Sequence, residues 1–446
     1  MATPRIGIIG GGASGIGTAK ALHQAGYDLE IIEATDRFGG NWQTSGPAAK
    51  MYESAHLISS KRNTQFSDHP MPKAYPHYPR HGLMLSYLEE MARDFDLVRR
   101  TRFNTTVTDA HPSADGGWNV RFDGGGGAVY DILVVCNGLL RKPILPSYPG
   151  VFTGACVHAG DYRTAEIFKG RRVLVVGGGN SGCDIAVDAA LNARAAFHST
   201  RRGYHYMPKF IDGRPTQEWL MDEAARFPDP DAYWEHVRAT FKLAGYDGQD
   251  YGLPKPDHAI QEAHPILNSQ ILYHIGHGDV VPKPDVGRLD GTRVHFTDGT
   301  SETIDLIVWA TGYDIDLPFL SPRVYDWRSR FPSLFLKMVP QEFDNLLFAG
   351  YLNTPSGIGN VANIMGRFVA AYVHARTHRT RSWDAFQAIK ADPDALDLGE
   401  ARFMDTPRHR FEVDLWKFIK ALNFVTGRLL ETPSDPARQP DRALNA

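Results

Sequence analysis

The chain has 446 residues, 42% of them apolar and 22% charged, with a formal net charge of −3 at pH 7. That length holds two or three domains and a large core, and the near-neutral balance removes the electrostatic case for a nucleic-acid partner. No apolar run approaches the roughly 20 residues needed to cross a bilayer, and the first expected strand starts too early to leave room for a secretory signal, so a cytoplasmic protein without a transmembrane segment is expected.

In chain order, Arg5-Ile6-Gly7-Ile8-Ile9 is a short β-branched strand running into Gly10-Gly11-Gly12-Ala13-Ser14-Gly15. The first glycine of such a loop allows the tight turn, the second lets a pyrophosphate approach the backbone, and the third lets the following helix pack on its strand. Ala19, Leu22 and Ala25 fall at helical spacing beneath that helix. The next strand, Asp28-Leu29-Glu30-Ile31-Ile32, ends at Glu33, eighteen residues past Gly15. A carboxylate there accepts ribose hydroxyls, so the first site is expected to take a dinucleotide with an unphosphorylated ribose.

A polar, proline-rich stretch over residues 38–80 follows, long enough to read as a functional wall rather than a simple connection. Residues 83–95 read as an amphipathic helix and 105–122 as a hairpin around Asp115-Gly116-Gly117. Residues 130–138 read as a buried strand closing on Gly138.

A second strand and loop, Arg172 to Val176 and Gly177-Gly178-Gly179-Asn180-Ser181-Gly182, repeat the first pattern. Its second strand, Ala195-Ala196-Phe197-His198-Ser199, ends without a carboxylate and is followed by Thr200, Arg201 and Arg202. Two guanidinium groups suit a 2′-phosphate, so this site is expected to prefer NADPH to NADH. The bland readings are a pair of helix-opening turns and a solvated strand end. Residues 203–260 carry Trp219, Tyr233, Trp234, Phe241, Tyr246 and Tyr251 without a clear period and read as a helical excursion in which aromatics serve packing more than substrate.

A hairpin over residues 293–303 and a strand over 304–312 ending in Gly312 repeat the layout of the first half. The expectation is an α/β protein of two Rossmann-like dinucleotide-binding domains, one inserted in the other. The boundaries expected are 1–165 and 310–432 for the outer domain, 166–309 for the inserted one, and a disordered tail over 433–446. Residues 345–350 read as a strand, 360–376 as a helix, and 411–429 as an amphipathic helix that packs on the domain rather than on a membrane. Cys136, Cys156 and Cys183 have no metal-type spacing and read as core residues, so no metal, disulfide or dithiol centre is expected.

Between the halves lies Phe152-Thr153-Gly154-Ala155-Cys156-Val157-His158-Ala159-Gly160-Asp161-Tyr162. This segment resembles the fingerprint of flavin-containing monooxygenases, the nitrogen- and sulfur-oxygenating branch of the class B flavoprotein monooxygenases. Gly39-Gly40-Asn41-Trp42, Ser199-Thr200-Arg201-Arg202-Gly203 and Ala310-Thr311-Gly312-Tyr313 are similar to three further motifs of that family, and the resemblance spans residues 5–375.

The resemblance implies FAD held by Gly10, Gly12, Gly15, Glu33, Gln43 and the backbone near Val107, and NADPH held by Asn180, Ser181, Arg201 and Arg202. Ala13, Ser14, Asn41, Trp42, Gly177, Gly179, Gly182 and Gly312 complete the implied cofactor set. It also implies hydride transfer from NADPH to flavin, a C4a-hydroperoxide formed with O2, oxygenation of a soft nitrogen or sulfur nucleophile, and possible homodimers. The helix over 360–376 would then aim its N-terminus at the pyrimidine end of the flavin, the bland alternative being a loop and helix that only close the first domain.

Baeyer-Villiger relatives carry Trp where this chain has Tyr162, which favours the N/S branch. Arg163 stands where the family tends to have Lys. Ile58 stands at the usual flavin-side Asn and supplies no amide; Ser59, Ser60 or Asn63 are the substitutes at hand, and Asn353 is a further candidate, with an ordinary turn asparagine as its alternative. Ser59 and Asn353 are thus the candidate catalytic residues. Ketone oxygenation and a flavin-binding redox sensor without turnover remain as other readings.

Overall fold

The structure is a computed structural model that describes residues 3–330, 334–353, 356–392, 395–405 and 409–430. The expected tail over 433–446 lies outside these residues. Strands such as Ile6–Ile9, Ile132–Val135 and Leu306–Trp309 are apolar and buried at every position. Strands apolar on both faces form parallel sheets covered from both sides, and two such five-stranded sheets organise the molecule.

The first sheet has the order Leu346–Phe348, Ile132–Val135, Ile6–Ile9, Leu29–Ile32, Thr101–Arg102, with every pair parallel. The second has the order Ala155–His158, Leu306–Trp309, Arg172–Val176, Ala195–Ser199, Val280–Lys283, again all parallel. In both, the strand that feeds a glycine loop is central. The strand after the loop helix lies on one side of it, and the returning strand that precedes a glycine lies on the other. The chain completes the second sheet before Leu346–Phe348 closes the first, so one nucleotide unit is inserted in the other.

Hairpin excursions flank each sheet. Val107–Pro112 and Trp118–Phe122 pair as expected and gain a third strand, Gly127–Tyr130. Arg293–Phe296 and Ser301–Thr303 pair likewise, within a four-stranded sheet that includes Val286–Gly291 and Gly150–Phe152. The excursion over 203–260 contains the helices Thr216–Arg226 and Pro230–Leu243. Trp219 and Phe241 are buried in its own small core, Tyr233 and Trp234 pack against that core, and Tyr246 and Tyr251 reach the core of the second sheet.

Three expectations are corrected. Ala25 does not lie beneath the first helix: that helix ends at Gln24, and Ala25 is its exposed C-cap. The last helix is Leu415–Leu430 and does not begin at residue 411. The Asp414 carboxylate accepts the backbone N–H groups of Trp416 and Lys417, which starts the helix there. Phe418, Leu422, Val425 and Leu429 form its buried face within the core that also holds Ile358–His378. Cys136 and Cys183 are buried, but Cys156 is exposed and is not the core residue expected; all three are unbridged.

The helices Ala13–Gln24 and Ile358–His378 cross at closest approach through glycine. A Cβ at Gly366 would lie 2.3 Å from the Gly17 carbonyl oxygen, and one at Gly17 would lie 2.8 Å from that of Ala362. Gly366→Ala therefore gains about 1 kcal/mol of helix propensity but must push the helix backbones away from each other, so a net loss of about 1–2 kcal/mol is expected. A lower denaturant midpoint with an unchanged m-value is the readout.

Candidate functional site

Both glycine loops are built alike. Gly10 and Gly177 have φ of +109° and +124°, and a Cβ at either would strike a carbonyl of the returning strand's end, Cys136 O or Ala310 O. A Cβ at Gly15 or Gly182 would lie 1.9 Å from the oxygen of Gly10 or Gly177. Strand and helix thus approach as closely as backbone permits. At the crests, Gly12 faces only the Gly40 backbone at 3.7 Å, and Gly179 faces open space. Each crest glycine is also the N-cap of its helix, Ala13–Gln24 or Asn180–Asn192, and neither helix has a side-chain cap. Uncapped first-turn N–H groups beside open space fit a pyrophosphate in both places.

The two pockets close with opposite charge. Glu33, only 4% exposed, accepts the Gly11 N–H through Oε2 at 2.7 Å and the Thr35 N–H and Oγ1 through Oε1 at 2.9 and 2.7 Å. Gln43 lies buried behind it, its Nε2 donating to Thr35 Oγ1. Asn41 and Trp42 are half-buried in the short helix Gly40–Trp42 beside Gly12. Val107 is buried, in the strand that begins just after Thr105, whose N–H donates to Glu33 O. Ser14 packs against Gly350, at the end of the strand Leu346–Phe348.

At the second pocket Arg201 is exposed and Arg202 half-buried, and neither forms an ion pair among the described residues. Arg202 Nη1 rests on Met404 Sδ at 3.8 Å, its guanidinium lies 6.0 Å from the Tyr204 ring centroid, and its buried Nε–H has no acceptor among the described residues. A buried guanidinium N–H without a partner is the kind of orphan that an anion satisfies. Asn180 Oδ1 accepts the Leu267 N–H, while Ser181 is exposed at the helix start. Gly312 has φ of +86° with open space beside its Cα.

His198 braces this second loop from beneath. Its Nε2–H donates to Gly177 O at 2.9 Å, and burial lowers its pKa from the usual 6.5. A depressed folded-state pKa means that the stability due to neutral His198 is complete above pH 6.5 and is lost as pH falls through the lowered value. The melting temperature is expected to drop on acidification below pH 6.5, with a shallower slope in His198→Gln.

The fingerprint segment pins three parts of the chain together. His158 accepts the Gly160 N–H at Nδ1, which leaves Nε2–H to donate to Gly312 O at 3.1 Å. Arg163 donates to the carbonyls of Gly160, Tyr162 and Ala49. Such a fork reaches several acceptors that a lysine ammonium would have to choose among. Tyr162 is buried and stacked on Phe168 with centroids 5.2 Å apart.

On the wall, Ile58 is 42% exposed. Ser59 is buried, its hydroxyl 2.7 Å from Thr64 Oγ1. Ser60 caps the short helix Lys61–Thr64 and its hydroxyl donates to Glu218, while Asn63 is half-buried. Gly357 and Gly359 pack directly on Thr64, so the wall abuts the N-terminus of Ile358–His378, which begins after Gly357 without a side-chain cap. Asn353 is not part of that contact. It forms a backbone bridge with Glu412, and its Nδ2 lies 3.5 Å from Glu412 Oε1. The sequence reading missed Thr35, which orients Glu33, and Glu412, which holds Asn353. A hydroxyl two residues past the closing carboxylate was the available signal for the first; nothing local marks the second.

A family model described as flavin-binding monooxygenase-like matches residues 3–405. Human flavin-containing monooxygenase 5 is 30% identical over 464 residues, covering 96% of this chain and 83% of its own. The macaque protein named dimethylaniline monooxygenase [N-oxide-forming] 2 is 30% identical, covering 89% of this chain and 79% of its own. Among solved structures, oxidized steroid monooxygenase bound to NADP aligns with a TM-score of 0.72 at 21% identity, covering 96% of this chain and 97% of that one. Cyclohexanone monooxygenase aligns with a TM-score of 0.70 at 19% identity, covering 96% and 98%.

Proposed function

The chain belongs to the flavin-binding monooxygenase-like family, and on that footing we propose that this flavin- and NADPH-dependent monooxygenase oxygenates a soft nitrogen or sulfur nucleophile such as an amine, a sulfide or an indole-like compound. The observation that carries the redox assignment is the contrast between Glu33 at one uncapped helix and, at the other, Arg201 and Arg202, which form no ion pair among the described residues. Tyr162 in the fingerprint and the N-oxide-forming relative support nitrogen or sulfur over carbonyl carbon.

In this reading Glu33 binds the ribose hydroxyls of FAD, and the first-turn N–H groups after Gly12 hold its pyrophosphate. Arg201 and Arg202 hold the 2′-phosphate of NADPH, and the N–H groups after Gly179 hold its pyrophosphate. Acceptance of hydride and activation of O2 are supplied by FAD when bound. The chain positions the two nucleotides and excludes water: the wall from Tyr52 to Asp68 and the helix end at Gly357 shield the reacting space. Ser59, bonded to Thr64 on that wall, is the candidate hydroxyl, whereas Asn353 is held by Glu412 away from the contact between wall and helix. No helix among the described residues is long and apolar enough to cross a membrane; a cytoplasmic homodimer belongs to the same proposal.

The test is purified protein with NADPH, O2 and a mixed panel of amines, sulfides, indole and cyclic ketones. N- or S-oxide formed in step with NADPH consumption is expected. Lactone as the main product would move the assignment to ketone oxygenation. Flavin that NADPH does not bleach would favour a non-turnover sensor.

A further inference from the structure

Asp184 and Asp188 lie one turn apart on the helix Asn180–Asn192 and face the same side. Both are half-buried and bonded to residues of the earlier part of the chain, Asp184 also to Asn268. Asp184 Oδ2 accepts the Tyr52 hydroxyl at 2.9 Å, and its Oδ1 accepts Asn268 Nδ2 at 2.7 Å. Asp188 Oδ2 accepts two hydroxyls at once, Ser54 Oγ at 2.5 Å and Tyr162 at 2.8 Å. Tyr52 and Tyr162 are buried with ring centroids 5.5 Å apart, so the donors are held as firmly as the acceptors.

Neither carboxylate is in a salt bridge among the described residues. Burial is the largest influence on both and raises their pKa, with Lys209 acting on Asp184 in the opposite sense. Packing alone gives no reason for such a pair, because buried acids outside a salt bridge cost more than apolar side chains of the same size. Three directional bonds from the Tyr52, Ser54 and Tyr162 hydroxyls do give one: they permit a single register between the two surfaces, while Asn268 holds Asp184 from its own side.

We infer that Asp184 and Asp188 are positioning residues for hydride transfer, bolting the wall at Tyr52 and Ser54 and the fingerprint Tyr162 onto the helix that opens at the second glycine loop. The inference rests on the proposed monooxygenase reading. That helix begins one residue after Gly179, so any rotation of it against the wall carries the bound nicotinamide with it. Misplacement by about 1 Å is enough to cost on the order of a hundredfold in rate.

The test is anaerobic stopped-flow reduction of the FAD-loaded enzyme by NADPH in Asp188→Asn, Tyr162→Phe and the double variant, together with FAD content and melting temperature. The limiting reduction rate is expected to fall about tenfold in each single variant, with the NADPH Kd within about twofold of wild type and FAD content unchanged. The double variant is expected to be no slower than the slower single, because Tyr162→Phe removes and Asp188→Asn weakens one shared bond. Should Asp188→Asn fail to fold, Tyr162→Phe deletes a single oxygen and carries the test alone. Reduction rates within twofold of wild type overturn the inference, as does a loss confined to Kd or FAD content. Wild-type enzyme that NADPH fails to reduce overturns the monooxygenase reading, and this inference with it.

Discussion

Enzyme carrying Arg201→Ala and Arg202→Ala is expected to use NADPH about a hundredfold less efficiently by kcat/KM, while its use of NADH changes by less than about threefold. Each hydrogen bond between a guanidinium and a phosphate contributes roughly 1.5–3 kcal/mol, and NADH lacks the group that would feel their loss. The two residues do not share the effect equally. Arg201 is exposed, so solvent and salt screen it, whereas Arg202 is half-buried with an Nε–H that has no acceptor among the described residues. Arg202→Ala alone should account for most of the change. Steady-state kinetics with both coenzymes decide the point, and equal losses for NADPH and NADH would remove these arginines from the 2′-phosphate site.

Glu33→Ala is expected to leave the purified protein pale, with FAD bound at least tenfold more weakly on reconstitution. Two losses combine. The carboxylate that would accept the ribose hydroxyls is gone, and the Gly11 and Thr35 N–H groups that it satisfied are left buried without acceptors, at about 1–3 kcal/mol for each unsatisfied group. Glu33→Gln keeps the shape and one acceptor oxygen and should fall between the two. Flavin absorbance after reconstitution and a titrated FAD Kd are the measurements; wild-type affinity in Glu33→Ala would show that the first pocket is not closed by this side chain.

What could be read in advance was local. Arg172–Val176 and Ala195–Ser199 follow from β-branched and apolar runs bounded by glycine, and the loops announce themselves because Gly10, Gly15, Gly177 and Gly182 sit where no Cβ fits. What could not be read depends on partners far along the chain. Residues 411–413 look helical by composition but are drawn into a bridge with Asn353, and Asp414 then sets where the helix begins. The company of Asp188 depends on Ser54 and Tyr162 arriving from the other half, which no periodicity encodes. Ala25 failed for a simpler reason, since a helix end ignores the spacing that runs through it.

The order in which strands enter the two sheets also sets a schedule for biosynthesis. The inner sheet has all its strands once Leu306–Trp309 has left the ribosome, whereas the outer one must wait for Leu346–Phe348 and for the long helix Ile358–His378 that covers it. The segment made first is therefore not the segment completed first: the inserted sheet can assemble in full while the amino-terminal one still lacks its last strand.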